Sequence, residues 1–251
     1  MKIFIIVSTL ISFGSCFKLL VTEDLKVISH YPSTGAVLAF VEYNDTLSSN
    51  GWTLLTVKTN GSYSDSDQAH AAGLGEGYAT AKRILQSWTN TMASYCVKPT
   101  MFCSKLKKFI YDNNHWLDYM IRKKRIQSSY WHHVNLIKTQ IKGIFDGFNM
   151  VYPGKLKLED FYLMNLSGDL EDLEQALGDG LMENRARKKE HMLGSGSCSA
   201  LIKWVKGDIL TSQITWNSYQ SLIRIIKNYD FNFQRSIKGT NIIPGEFYSI
   251  N

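Results

Sequence analysis

The sequence predicts a mixed α and β fold, on the basis of three changes in the spacing of its apolar residues. Short β-type runs at residues 37–43 and 52–58 are separated by turn-forming residues. From about residue 67 the apolar residues recur at helical spacing, and after residue 197 two more β-type runs flank a tight turn. Hydrophobic residues make up 44% of the chain and charged residues 20%, an ordinary globular balance that does not indicate disorder or a collagen-like or repeat architecture.

Residues 1–16 have the pattern of a secretory signal peptide. Lys2 precedes an apolar run over residues 3–13, and small residues lead up to Cys16. A membrane anchor is the alternative, but the run is too short to cross a bilayer. We therefore expect cleavage near Cys16 and entry into the secretory pathway.

Export changes how other short patterns are interpreted. Three Asn-X-Ser/Thr sequons become candidate glycan acceptors, at Asn44, Asn60 and Asn165. An oxidising compartment also allows the cysteines to form disulfides.

The middle of the chain is expected to be mainly helical. Gly73, Gly75 and Gly77 alternate inside the first helical pattern, which favours close helix packing over a phosphate-binding loop. The expected elements are a long helix over 67–88, helices over 106–125 and 130–148, a short buried strand or turn over 161–166, and a helix over 169–177.

Residues 179–197 turn polar, charged and finally Gly/Ser-rich, which predicts a linker. Beyond it we expect a β-hairpin, with strands over 198–205 and 209–216 joined by a tight turn. A helix is expected over 219–229.

The cysteines differ in their surroundings. Cys96 and Cys103 flank a short loop between two predicted helices, which favours a local disulfide. Cys16 is expected to leave with the signal peptide or to lie at the new terminus. Cys198 is left without a partner at the first residue of a strand, where it is either a reactive thiol or a small buried hydrophobic residue.

Several segments, taken in order along the chain, resemble the phospholipase B-like family. The most specific are Cys198-Ser199-Ala200-Leu201-Ile202-Lys203 and Thr215-Trp216-Asn217-Ser218-Tyr219. Earlier segments that match are Gly51-Trp52, Ala72-Gly73-Leu74-Gly75-Glu76-Gly77-Tyr78, Tyr130-Trp131-His132 and residues 166–174.

The resemblance implies the four-layer αββα sandwich of N-terminal-nucleophile hydrolases, truncated here at the C-terminus. Residues 17–197 would form the first fragment, and residues 198–251 the incomplete start of the nucleophile-bearing fragment. Cleavage between Ser197 and Cys198 would expose Cys198 as an N-terminal nucleophile, with Trp216 as a wall of the pocket. The implied function is hydrolysis of acyl ester or amide bonds in phospholipids, in a lysosomal or extracellular compartment.

Two positions depart from the family pattern. Ser197 stands where the family has a histidine before the cleaved bond, and Gln213 stands at the family's active-site histidine on the second strand. Glutamine can orient a group by hydrogen bonding but cannot transfer a proton near neutral pH. The alternative function is therefore a non-catalytic secreted or lysosomal glycoprotein that binds lipid or a partner chain.

Other kinds of site are not indicated. The adjacent His132 and His133 point about 100° apart on a helix, and no zinc-binding spacing is present, so neither a metal nor a cofactor is expected. The basic run at 185–189 lacks any accompanying nucleic-acid signature. A membrane surface is expected to be contacted only transiently.

Overall fold

The computed structural model describes residues 16–29, 36–97, 100–178, 197–216, 219–233, 236–237, 240–241 and 245–250. Most of the expected signal peptide, the linker up to residue 196 and the basic run at 185–189 lie outside these residues. The described part is a mixed α and β structure, which confirms the predicted fold class.

A six-stranded sheet forms the centre of the molecule. Its strands are β1 (Cys16–Thr22), β2 (Val27–Ile28), β3 (Val37–Thr46), β4 (Trp52–Thr59), β7 (Ile225–Phe231) and β10 (Gly245–Ile250). Their spatial order is β10-β7-β4-β3-β1-β2. Neighbouring strands are antiparallel except β4 and β7, which pair in parallel. Two strands that follow Cys198 in sequence are therefore part of the same sheet as the first four.

Along the chain, the α-helices fall between the end of β3 and the predicted linker. They are α1 (Leu47–Asn50), α2 (Asp65–Ala79), α3 (Ala81–Thr91), α4 (Met101–Lys124), α5 (Ser129–Val151), α6 (Leu158–Asn165) and α7 (Leu170–Leu177). Side-chain oxygens of Ser64, Thr100 and Ser128 accept hydrogen bonds from backbone amides in the first turns of α2, α4 and α5. These caps satisfy amides that have no partner inside the helix, and so fix where each helix begins.

One face of the sheet is buried against α2. Alternate residues of β4 point to opposite faces, so Leu55 and Val57 are fully buried while Leu54 and Lys58 are exposed. The buried face joins Val41 and Ala72 in the core between sheet and helix. The opposite face of the sheet carries no helix in the described part of the chain.

Helices α2 and α5 touch backbone to backbone. A Cβ added to Gly73 would lie 2.1 Å from the carbonyl oxygen of Gln140, and one added to Gly77 would lie 2.0 Å from that of Ile144. Gly147 on α5 meets α2 in the same way. Because no larger side chain fits at these positions, the predicted close helix packing is confirmed.

The predicted β-hairpin is confirmed as β5 (Ser197–Val205) and β6 (Asp208–Trp216). Lys206 and Gly207 both have positive φ, 50° and 87°, as a two-residue hairpin turn requires. The two other short strands, β8 (Ser236–Ile237) and β9 (Thr240–Asn241), pair with each other.

Three sequence predictions about secondary structure are wrong. The helix expected over 67–88 is divided at Thr80, whose hydroxyl donates to the carbonyl of Glu76 at 2.8 Å. Residues 161–166, expected as a strand or turn, lie mostly in α6, where Asp160 accepts a hydrogen bond from the backbone amide of Lys157.

The third error is the helix expected over 219–229. Only Tyr219–Ser221 forms a short 3₁₀ turn, and Ile225–Phe231 is strand β7. The segment pairs with β4 on one edge and with β10 on the other, and Ile225 and Phe231 are buried in the core. The β-branched Ile225 and Ile226 suit a strand better than a helix.

Candidate active site

The predicted nucleophile Cys198 is the second residue of β5. It directly follows Ser197, the residue before the predicted cleavage. Its thiol is exposed and unpaired. Cys198 lies opposite Thr215 on β6, and Ser197 lies opposite Trp216. The hairpin therefore places the predicted cleavage position next to Thr215 and Trp216, which begin one of the two segments most specific to the family.

Gln213 lies on the same face of the hairpin as Cys198. It is opposite Ala200 and two residues before Thr215, and side chains two residues apart on a strand share a face. Such diagonal neighbours across an antiparallel pair are about 7–8 Å apart, within reach of a long side chain. The residue at the position of the family's histidine is thus near the thiol, but it is an amide.

The hairpin exposes apolar side chains on both faces. Ile202, Trp204 and Ile209 lie on the Cys198 face, while Leu201, Leu210 and Ile214 lie on the other. The sequence pattern predicts the two strands, but it does not predict that both faces are exposed.

Cys96 and Cys103, the pair expected from the sequence, are joined by a disulfide. It ties the loop after α3 to the first turn of α4. Both residues belong to an apolar cluster that includes Met92, Phe102 and Leu106. The remaining cysteine of the described residues, Cys16, is unpaired and begins β1.

The three sequon asparagines lie in different settings. Asn44 is half-buried in β3, where its backbone pairs with Leu54. Asn60 is exposed after β4, and its amide donates to the carbonyl of Val37. Asn165 is exposed at the end of α6, and its amide donates to the carbonyl of Phe161.

The two adjacent histidines do not act together. His132 is buried and its Nε2 lies 2.8 Å from a carboxylate oxygen of Asp65, which links α5 to the start of α2. Across the described residues, no three His, Cys, Asp or Glu side chains gather where they could hold a metal ion. Nor does the described part of the chain contain a helix long and apolar enough to cross a membrane.

A buried carboxylate that the sequence analysis did not single out lies between α2 and β7. Glu76 is only 2% exposed. It accepts hydrogen bonds from Lys227 at 3.0 Å, from the Tyr229 hydroxyl at 3.0 and 3.1 Å, and from Gln140 at 3.4 Å. We call these four residues the Glu76 network.

Tyr229 acts in this network as a donor that keeps its proton. Burial raises the pKa of its hydroxyl far above the usual value, and the neighbouring Glu76 carboxylate raises it further. The network joins residues from both sides of the predicted cleavage position, because Glu76 precedes Ser197 and the two β7 donors follow it.

Comparison with known proteins identifies the family. The family model described as Phospholipase B matches residues 39–250. The chain belongs to the phospholipase B family. The match includes Cys198, Gln213 and the whole Glu76 network, and it confirms the family resemblance inferred from the sequence.

Individual relatives agree with this family. The phospholipase B-like 2 protein of Rattus norvegicus is 38% identical over 235 residues, and that of Homo sapiens is 37% identical over 219 residues. These matches cover 84% and 83% of this chain but only 38% and 36% of the relatives. Phospholipase B-like protein B of Dictyostelium discoideum is 28% identical over 200 residues, which is 76% of this chain and 35% of that protein. The chain thus spans a little over a third of the length of these relatives.

Proposed function

We propose that this chain carries the nucleophile of a phospholipase B-like hydrolase that cleaves acyl ester or amide bonds of phospholipids or related lipids. The observation that carries the proposal is the exposed, unpaired Cys198 at the start of β5, inside the family-specific Cys-Ser-Ala-Leu-Ile-Lys segment. A thiol at a strand tip is accessible both to the preceding peptide bond and to an incoming acyl group.

The proposed activation is self-cleavage. The Cys198 thiol attacks the carbonyl carbon of Ser197, the peptide C–N bond breaks, and the amine of Cys198 is released as a thioester forms. Water then hydrolyses the thioester, which leaves a carboxylate on Ser197 and a free thiol on Cys198. The new α-amine has an ordinary pKa of about 7.7–8.0, suited to a general base near neutral pH.

In the proposed reaction, the α-amine takes the proton of the thiol, the thiolate attacks the lipid carbonyl, and the alcohol or amine leaves with that proton. Water then hydrolyses the acyl-enzyme. Gln213, on the same face as Cys198, would orient the terminal amine through its amide. Trp216, the proposed wall of the pocket, pairs with Ser197 and takes a register position on the other face of the hairpin. Groups that hold the oxyanion are also required.

We further propose that the chain works in a secreted or lysosomal compartment, without a cofactor. The disulfide between Cys96 and Cys103 is consistent with oxidising conditions during folding. The pattern of residues 1–16 and the sequons at Asn44, Asn60 and Asn165 support the same route.

A second candidate function is a non-catalytic secreted or lysosomal glycoprotein that binds lipid or a partner chain. The observation that favours it is Gln213, which cannot replace a histidine in proton transfer. The exposed apolar faces of the hairpin would serve binding equally well in this case.

N-terminal sequencing and intact mass of protein secreted from a eukaryotic host separate the two candidates. Self-cleavage predicts a fragment that begins at Cys198 and that disappears in the Cys198→Ala variant. A single uncut chain at both acid and neutral pH would contradict self-processing and favour the binding protein.

The role of Gln213 can be tested by restoring the family residue. We expect Gln213→His to accelerate appearance of the Cys198 fragment by at least tenfold, since a positioned acid–base group typically contributes roughly 10²–10⁴ in rate. Thr211→His is the matched control. Thr211 lies on the same face of the hairpin as Gln213, but two residues further along β6 from Cys198. Equal acceleration by both substitutions would refute a specific role for position 213.

A further inference from the structure

The end of α4 and the turn into α5, residues 116–130, form an exposed basic corner. Four consecutive cations, Arg122, Lys123, Lys124 and Arg125, occupy the last turn of α4 and its C-cap. All four side chains are exposed. We call residues 116–130 the α4–α5 corner.

Large apolar side chains surround these cations. Ile126 is 75% exposed, Tyr130 is 65% exposed, and Trp116 and Tyr119 are each 52% exposed. Single exposed apolar residues are ordinary, but four within one corner form a patch of the kind that marks an interaction surface.

The aromatic rings of the corner are held in place by contacts with one another. The rings of Trp116 and Tyr130 both pack edge-on against the buried Trp131, at 5.6 and 5.1 Å between centroids. The ammonium of Lys123 lies 5.6 Å from the centre of the Tyr119 ring. The patch is therefore a preformed surface, with its cations beside its aromatic rings.

The positive charge of the corner is not neutralised within the described residues. Asp118 is its single carboxylate, which gives the corner a net charge of +3. Asp118 pairs with Lys138 on α5 at 2.6 Å. No ion pair joins any of the four cations to a carboxylate among the residues that the structure describes.

Helix stability alone does not explain this composition. Cations in the last turn of a helix interact favourably with its dipole, which accounts for some of the positive charge. The helix dipole gives no reason for the exposed isoleucine and the three exposed aromatic rings beside the cations. Basic residues next to interfacial aromatic and aliphatic side chains are the composition that binds anionic lipid surfaces.

We propose that the α4–α5 corner docks the protein on a membrane surface that contains anionic phospholipid. The four cations contact lipid phosphates and carboxylates, while Ile126, Trp116 and Tyr130 enter the boundary between headgroups and acyl chains. Nucleic acid offers matching charge but no apolar layer for Ile126, so the exposed aliphatic side chain favours lipid. The docking does not depend on Cys198, and it can be measured where hydrolysis is absent.

Vesicle co-sedimentation of the full chain carrying Cys198→Ala tests this docking separately from catalysis. Phosphatidylcholine vesicles with and without phosphatidylserine are the probes. We expect binding only with phosphatidylserine, and weakening with added salt because screening shortens the range of surface charges. Changing Lys123, Lys124 and Arg125 to Gln should weaken binding roughly a hundredfold, at about fivefold per cation. Ile126→Ser should weaken it roughly tenfold.

The matched control removes the same charge elsewhere. Lys82, Lys107 and Lys155 are exposed and lie outside the corner, so changing all three to Gln should alter binding less than fivefold in total. Circular dichroism of every variant should match that of the parent chain. Equal losses in the two triple variants, equal binding to vesicles without phosphatidylserine, or binding to duplex DNA but not to vesicles would each overturn the proposal.

Discussion

Replacing Lys227 by Met should destabilise the chain by about 3 kcal/mol. The substitution keeps the length of the side chain but removes the cation 3.0 Å from the buried Glu76. Removing one partner of a buried ion pair typically costs about 3–5 kcal/mol, because the other charge stays buried and unpaired. The lower end applies here, since Lys227 is itself 23% exposed and Glu76 keeps donors in Tyr229 and Gln140.

The control is a second ion pair that also involves β7 but is exposed to solvent. Lys58 on β4 lies 3.5 Å from Asp230 on β7, with both side chains exposed. Exposed pairs contribute about 0–1 kcal/mol, so Lys58→Met should have little effect. The two variants thus compare a buried pair between β7 and α2 with an exposed pair between β7 and β4.

Urea unfolding followed by circular dichroism measures the free energy of unfolding of both variants, and thermal unfolding measures their Tm. For a chain of this size, a loss of about 3 kcal/mol corresponds to a fall in Tm of about 6 °C or more. In the double variant Glu76→Gln with Lys227→Met, the total loss should be smaller than the sum of the single losses by about 2 kcal/mol. Additive losses, or equal effects of Lys227→Met and Lys58→Met, would refute the argument that burial makes the Glu76 pair important.

Three further predictions concern the fold that holds the site. Gly77→Ala should destabilise the chain by about 2 kcal/mol despite the better helix propensity of alanine, because its Cβ would lie 2.0 Å from a carbonyl oxygen of α5. Gly168→Ala is the control: a Cβ there would meet nothing within 4 Å, so it should be nearly neutral in the same urea titration. Since the pKa of Tyr229 is raised in the folded state, its contribution is complete below about pH 10 and is lost as pH rises further. The difference in unfolding free energy between the parent chain and Tyr229→Phe should therefore shrink above that pH, and a constant difference would contradict this. Changing Cys96 and Cys103 together to Ala should cost about 2–3 kcal/mol, and an unchanged urea midpoint would show that the disulfide adds nothing.

Features encoded over short distances could be predicted from the sequence. The β5–β6 hairpin was predictable because β-type runs flank a Lys-Gly pair that suits a tight turn. Close helix packing of α2 was predictable from glycines spaced inside a helical pattern, although its partner α5 was not. In each case the information lies within about twenty residues.

Features that depend on distant contacts could not be predicted in this way. The apolar spacing of Leu222, Ile225 and Ile226 suggests one face of a helix, and the β-branched side chains alone do not outweigh that spacing. The pairing with β4 and β10 makes the segment a strand. The partners of Glu76 lie 64, 151 and 153 residues further along the chain. No local sequence pattern predicts that these groups meet. The one indication of the network in the sequence is the carboxylate of Glu76 inside a Gly-rich helical pattern.

The parallel pairing of β4 with β7 also bears on what the proposed cleavage would do. Cutting between Ser197 and Cys198 breaks the chain after the first residue of β5, but β7 remains hydrogen-bonded to β4. The buried Glu76 network and the apolar contacts of Ile225 and Phe231 hold the same strand from the side of the core. The tip of β5, in contrast, has exposed side chains around Cys198. Cleavage would thus free the end that carries the thiol while the strand behind it stays fixed, which is what a newly formed N-terminal nucleophile needs.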